Sequence, residues 1–247
     1  MRLAFLSDMH GNLPAFEAVL AEIERRGPFD AILGGGDYVV GGLNPAECIQ
    51  ILIDRGWDCV RGNAEEVLVD LATDGAVPVQ NAPPDLMSNE SVRSRLRWTA
   101  DRVNSEQIEF LQTLPLMRAF TGPSGQSLAL VHATPWSAHP IVWSDAPVDA
   151  KRELLERAGT DALIYAHIHH AYQEVIDGKT ICCMGSVGIP FDGDVRPCFA
   201  IVTDEGDGWS FEHVRVGYDY EAYARALESS DMPGAADGAR QIRTAEL

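Results

Sequence analysis

Short apolar runs separated by polar loops recur along the chain, and they carry two different periods. The opening "RLAFLS" is a continuous apolar run of strand length. The polar "DMHGN" follows, then "LPAFEAVLAEIERRG", where Phe16, Val19, Leu20 and Ile23 recur at helical spacing. Asn12 is placed to cap this helix, Pro14 falls in its first turn and Gly27 closes it. The unit then repeats. "DAILGGGD" is a second strand and loop, and "NPAECIQILIDRG" a second helix with Asn44 as cap, Pro45 at its first position and Glu47 three residues beyond the cap. "WDCVRGN" is a third strand ending in a third loop. Strand–loop–helix alternation of this kind predicts a parallel sheet with right-handed crossovers. Its functional site lies beyond the carboxyl ends of the strands, where all three loops land.

Residues 74–104 break the rhythm: they are polar and proline-bearing, then helical, with Trp98 as an anchor, and read as a helical cap or insertion. A helix follows at "SEQIEFLQTLP". The second half is strand-rich, with "QSLALVHAT", "DALIYAHI", "YQEVI", "KTICCMGS", "CFAIVTD" and "WSFEHVRV", interrupted by one helix at "DAKRELLERAG". Asp177-Gly178 between two strand-like runs is a hairpin signal. From about Tyr218 the tail is helical, and from about residue 229 it turns Gly- and Ala-rich and is expected to be mobile. There is no linker and no repeat period, so one α/β domain with two sheets is expected over residues 1–247.

Composition narrows the field. Hydrophobic residues make up 46% of the chain, as in a folded globular protein. No apolar run approaches the roughly 18 residues that span a bilayer. The start "MRLAFLSDMHGN" has neither the apolar length nor the cleavage site of a signal peptide, so a cytoplasmic protein is expected, with no membrane partner. The five cysteines include no CxxC pair and lie in or beside apolar runs, which predicts buried free thiols. The formal net charge of −18 repels nucleic-acid backbones and anionic lipids, excluding an extended nucleic-acid surface. A small anionic substrate still binds where a metal cluster reverses the local field.

Five predicted strand ends carry chemistry: Asp8, His10 and Asn12 after the first, Asp37 after the second, Asn63 after the third, His132 in "LVHATP", and His167 and His169 in "AHIHH". Carboxylate, imidazole and carboxamide oxygen are ligands that suit Mn²⁺, Fe or Zn²⁺. Alternation along an extended segment would put His167 and His169 on one side and His170 on the other. Each residue also has a plainer reading. Asn63 can simply cap the helix "AEEVLVDL", Asp8 and Asp37 can form turns, and His139, His170 and His213 read as structural. "GGGD" has neither dinucleotide-fingerprint spacing nor a P-loop lysine. Arg93, Arg95 and Arg97 read either as a solvated helix face or as contacts to a second phosphate.

In order, the motifs "SDMHGN", "GGDYV", "RGNAEE", "VHATP" and "AHIH" resemble those of the calcineurin-like metallophosphoesterases. "GSVGIPFDGDVRP" is similar to a segment of the family's small bacterial and archaeal phosphodiesterase branch, and the resemblance runs from Arg2 to about Val216. It implies a four-layer α-β-β-α sandwich, with two mixed β-sheets flanked by helices. It also implies two divalent metal ions, Mn²⁺ foremost, with Fe, Zn²⁺, Ni²⁺ or Mg²⁺ as alternatives. Asp8, His10 and His169 would hold one ion, Asn63, His132 and His167 the other, and Asp37 would bridge them. Two cations roughly 3.5–4 Å apart activate a shared hydroxide and clamp the attacking and leaving oxygens of an in-line displacement at phosphorus. Asp37, Asn63 and His132 are the implied catalytic centre, with Asn12 and His139 as candidate substrate contacts.

The sequence departs from the family at Ala64, where many members place a histidine that assists the leaving group, and at Ala166, where glycine is usual. A missing acid costs about 10²–10⁴-fold in rate and favours leaving groups that need little protonation. The implied function is a phosphodiesterase. Alternatives on the same site are a diadenosine tetraphosphate-type nucleotide polyphosphate hydrolase and a protein phosphatase. A non-catalytic metal-binding scaffold is the alternative of another class. The implied partner is a small phosphorylated substrate, nucleotides included, and the protein itself a monomer or homodimer.

Overall fold

The computed structural model of the chain describes residues 1–76, 79 and 89–247. Ten strands form two mixed five-stranded sheets. In the first sheet, β1 (Arg2–Leu6), β2 (Ala31–Gly34) and the two-residue β3 (Asp58–Cys59) run parallel. Strands β9 (Cys198–Thr203) and β10 (Ser210–Arg215) add antiparallel on the other side of β1, giving the order β10-β9-β1-β2-β3. The second sheet holds β4 (Met117–Thr121), β5 (Ser127–Val131), β6 (Ala162–Tyr165), β7 (Ala171–Ile176) and β8 (Lys179–Met184) in the order β4-β5-β6-β8-β7. Its parallel core is β5-β6-β8, with an antiparallel strand at each edge.

The alternation of side chains along these strands decides the layering. Leu3 and Phe5 of β1 pack with Leu128 and Leu130 of β5, Ile164 of β6 and Met184 of β8, which closes the space between the sheets. The intervening residues point outward. Ala4 and Leu6 meet the helices α1 (Leu13–Arg26), α2 (Pro45–Arg55) and α3 (Asn63–Ala72). On the other side, Val131, Leu163 and Tyr165 meet α6 (Val148–Ala158). The result is the helix–sheet–sheet–helix sandwich. All five cysteines are buried and free, and no described helix is long and apolar enough to cross a membrane.

Of the insertion at 74–104, residues 77, 78 and 80–88 lie outside the described residues. The described part carries α4 (Glu90–Ala100), and α5 (Ser105–Thr113) follows. Trp98 donates to Asp231 Oδ1 at 2.9 Å, and the Arg102 guanidinium lies 3.4 Å from the indole centroid, so α4 is docked against the C-terminal segment. That segment is packed rather than free. After α7 (Tyr220–Glu228), the Gly- and Ala-rich stretch forms α8 (Ala235–Thr244), because small residues let it lie close on α7 while Ala239 and Ile242 are buried.

Candidate metal centre

Past the ends of the sheets, the loops continue to pair through their backbones. Amides of Asp8, His10 and Gly11 donate to carbonyls of Gly36, Asp37 and Tyr38, locking the loop after β1 to the loop after β2. Ala166 N–H donates to His132 O, which locks the loops after β5 and β6 together. Gly188 N–H donates to Asp8 O, and Phe191 N–H to His169 O, joining the two sheets at this end. Backbone conformation does the final aiming. Asp8, His10, Asp37, His167 and His169 all have positive φ, a costly geometry for residues with a Cβ that concentrates at functional sites. The loop holding His167 and His169 is therefore not extended as alternation along a strand would make it. Ile168 N–H closes a three-residue turn on Ala166 O around His167, and the two histidines go to different clusters.

The first cluster is Asp8, His10 and His169, and the second is Asp37, His132 and His167; within each, the candidate ligand atoms lie within 4.8 Å of one another. Asn63 Oδ1 joins the second, 3.1 Å from His132 Nε2. Asp37 faces both clusters: Oδ2 lies 3.7 Å from His10 Nε2, and Oδ1 lies 3.4 Å from His132 Nε2. Two glycines make this approach workable. At Gly62 a Cβ would fall 2.1 Å from Asp37 Oδ1; at Gly36, with φ +99°, one would fall 2.7 Å from His132 Nδ1.

The donor set can be tested for its fit to metal without any ion in place. Each imidazole presents one ring nitrogen to a backbone carbonyl, which only accepts, so that nitrogen carries the proton. His10 Nδ1 donates to Val40 O at 2.7 Å, His132 Nδ1 to Gly35 O at 2.8 Å, His167 Nε2 to His139 O at 3.2 Å, and His169 Nδ1 to Ile189 O. While the imidazoles are neutral, the inner nitrogens then meet as lone pairs. His10 Nε2 and His169 Nε2 are 3.2 Å apart, as are His132 Nε2 and His167 Nδ1. Both carboxylate oxygens of Asp8 are buried without a hydrogen-bond partner. Converging lone pairs around buried carboxylates are repulsive and costly unless a cation lies among them, so these residues fit divalent metal.

Titration behaviour points the same way. Burial would raise the Asp37 carboxyl, but the imidazoles of His132, His10 and His167 together outweigh it and hold the group well below the usual carboxylate range. Burial acts on Asp8 in the same sense, and His169 beside it brings that carboxyl down. In turn, burial disfavours a charged His132, yet the Asp37 carboxylate pushes it up to about 10. Burial and the charge at His132 lower His167 to about 4. Each cluster thus attracts one positive charge and rejects a second proton. A divalent ion supplies more of that charge than a proton does.

Two expected substrate contacts are placed elsewhere. The Asn12 amide nitrogen donates to Gly188 O at 2.8 Å and to Tyr218 Oη at 3.1 Å, while its Oδ1 accepts from Ala15 N–H. Asn12 is buried, so it caps α1 and braces the neighbouring loop instead of meeting solvent. The ring of His139 is held by Glu66, with 3.0 Å between Nε2 and Oε2; its contribution to the centre is the carbonyl that orients His167. His170 and His213 are structural as expected, tied to Ser144 and to Cys183 O. Ala64 faces the helix-side core, and its amide donates to Asp37 Oδ1 at 2.8 Å.

Glu65 was not legible as a site residue. It is buried, and its carboxylate accepts from the amides of Asp37, Tyr38 and Gly62, each at 2.8 Å. The capping-box spacing of Glu65 after Gly62 was the available signal. The clusters open into a cleft of about 250 Å³, whose other walls include Arg95 of α4, Phe191, and Gln241 of α8.

A two-sheet α/β sandwich with histidine–carboxylate clusters at the joined carboxyl ends of its strands defines a metal-dependent class of protein. The chain belongs to the calcineurin-like phosphoesterase superfamily, whose domain model matches residues 1–207, a family of metal-dependent phosphoester hydrolases. It is 29% identical over 246 residues to an uncharacterized protein of Methanocaldococcus jannaschii, covering 94% of this chain and 93% of that one. Among solved structures, a metallophosphoesterase from Sphaerobacter thermophilus aligns over 99% of both chains at 24% identity with a TM-score of 0.73. A hypothetical protein from Pyrococcus horikoshii aligns over 99% of this chain and 98% of its own at 18% identity, with a TM-score of 0.82. These two likenesses establish the fold.

Proposed function

We propose that the protein is a phosphodiesterase with a two-metal centre, acting on small phosphorylated substrates in the cytoplasm. The observation that carries this reading is the position of Asp37, which turns one carboxylate oxygen toward each of two ligand clusters beside one cleft. Asp8, His10 and His169 would hold one ion and Asn63, His132 and His167 the other, with Asp37 placed to serve both. Mn²⁺ is the ion of first choice; when bound, the pair supplies charge neutralisation at phosphorus and an attacking water of lowered pKa. The chain's residues do the rest. Carbonyls of Gly35, Val40, His139 and Ile189 keep the imidazoles in one tautomer and one orientation. Among the described residues lining the cleft, the histidines are all proposed ligands, and Ala64 offers no proton, so the leaving group departs unprotonated. Diesters of acidic alcohols and phosphoanhydrides meet that requirement.

The test is hydrolysis of bis-p-nitrophenyl phosphate by EDTA-stripped protein, with and without Mn²⁺, beside Asp37→Ala. Mn²⁺ restores turnover to the native chain, and the substitution lowers it by about 10³-fold or more, as loss of several kcal/mol of charge stabilisation requires. No turnover with both ions bound by metal analysis would sink the phosphodiesterase reading.

A further inference from the structure

Arg95 stands out on the cleft wall. Among the described residues lining the cleft it is the one Lys or Arg, and Asp37 is the one carboxylate. Arg95 forms no ion pair with any described residue, although the chain carries 37 acidic side chains against 19 Lys and Arg. Arg97 on the same helix is paired with Glu90, and Arg102 after it with Asp231. Among the described residues, the one side-chain hydrogen bond of Arg95 runs from Nη2 to Ser91 Oγ at 3.3 Å, and its buried Nε has no partner. An unmet buried donor is costly and persists where it serves a ligand. The surroundings hold it in place. Gly234, where a Cβ would fall 3.3 Å from Nε, lies close against the guanidinium, and the Trp98–Asp231 bond holds α4 against the C-terminal segment.

We propose that Arg95 is a second anion subsite, holding a phosphoryl group beyond the one at the metal-ligand clusters. The inference rests on the phosphoesterase reading above and narrows its substrate class to disubstituted diphosphates and longer phosphoanhydrides. In such compounds the attacked phosphorus carries two bridging oxygens, as in a diester, and the leaving group is itself a phosphate. Water adds its oxygen to phosphorus and gives up a proton to solvent, the anhydride P–O bond breaks, and the electron pair leaves on the departing phosphate. That group needs its charge met rather than a proton, which the planar guanidinium does through paired N–H donors. Ala64 in place of an acid and Arg95 at the far wall are then two sides of one specificity.

The experiment compares calorimetric binding of methylenediphosphonate and methylphosphonate to the Mn²⁺-loaded protein, with metal content measured in parallel, for the native chain, R95A, R95K and R97A. The native chain binds the diphosphonate more tightly. R95A lowers the ratio of the two affinities by about 10–100-fold, the range for a hydrogen-bonded charge. R95K recovers part of the ratio, and R97A keeps it. An unaltered ratio in R95A, an equal loss for both ligands in R95A and R97A, or a native chain that does not prefer the diphosphonate overturns the proposal. Turnover is read separately: a ratio that depends on Arg95 in a protein that cleaves neither ester nor anhydride overturns the hydrolase reading and leaves the subsite standing.

Discussion

At the scale of single residues, the metal centre depends as much on acceptors behind the ligands as on the ligands. Glu65 is the most connected of these. Burial and the charge of Asp37 push its pKa up to about 7, against the amides of Gly62 and Tyr38 and the charge at His132, which pull it down. Its carboxylate joins the loops after β2 and β3 at three points. Glu65→Gln replaces one accepting oxygen with an N–H₂ group aimed at amide N–H donors. We expect metal affinity to fall about 10–100-fold, the usual cost of removing an outer partner of a ligand, with the far-ultraviolet circular dichroism unchanged. Competition with a chromophoric chelator measures this, and native affinity in the variant would refute the positioning role. The ligand types were readable because each ends an apolar run. Glu65 was hidden because its helix pattern explains it fully, and of the two readings of Asn12 the structure shows the helix cap.

At the scale of elements, the strands with a buried face were legible and those without one were not. β4 alternates nothing: its residues are exposed save Phe120, so it reads as a loop, yet it pairs with β5 along five residues. Its hairpin turn is tied across the sandwich by Asp204, at the end of the molecule opposite the metal centre. Asp204 is buried and accepts from Ser124 N–H at 3.1 Å and Gly206 N–H at 2.8 Å, joining the β4–β5 turn to the β9–β10 turn. Burial would raise its pKa, but the bond from the Ser124 hydroxyl foremost, with these amides, brings it to about 2. A carboxyl held below its unfolded value, near 4, stabilises the fold above that value and loses the effect as pH falls through its folded one. Asp204→Asn therefore melts at a lower temperature than the native chain at pH 7, and the gap narrows between about pH 4 and pH 2. Parallel melts by differential scanning fluorimetry test this; a gap constant across that range would show that the charge contributes nothing.

For the whole molecule, the metal centre is also a clasp. Asp8, His10, Asp37 and Asn63 come from the first sheet, and His132, His167 and His169 from the second, so metal held by these proposed ligands would crosslink the sandwich at one end. A ligand that binds only the folded state at 100 times its dissociation constant adds about 2.7 kcal/mol per site. In a chain of this size that raises the melting temperature by about 5–10 °C. EDTA-stripped protein, with both proposed sites emptied, should melt lower by about twice this, roughly 10–20 °C, and Mn²⁺ should restore it. A melting temperature indifferent to metal would argue against metal binding at these residues. A formal charge of −18 adds a general attraction for cations, which added salt screens while leaving the buried clusters' affinity largely intact.

What the sequence determined by itself was the strand–helix alternation, the two faces of each buried strand, and the seven candidate ligands at strand ends. These follow from residue type and local period, which need no knowledge of distant partners. Tertiary structure alone decided which histidines share a cluster and which ring nitrogen each presents. It also decided that Asn12 and His139 serve as braces and that Arg95 reaches the cleft. Each of these depends on groups far apart in the chain: His132 on the carbonyl of Gly35, 97 positions away, and His169 on Asp8, from the other sheet. Such pairs form only because packing between the sheets brings their loops to one end, and no local pattern encodes that distance.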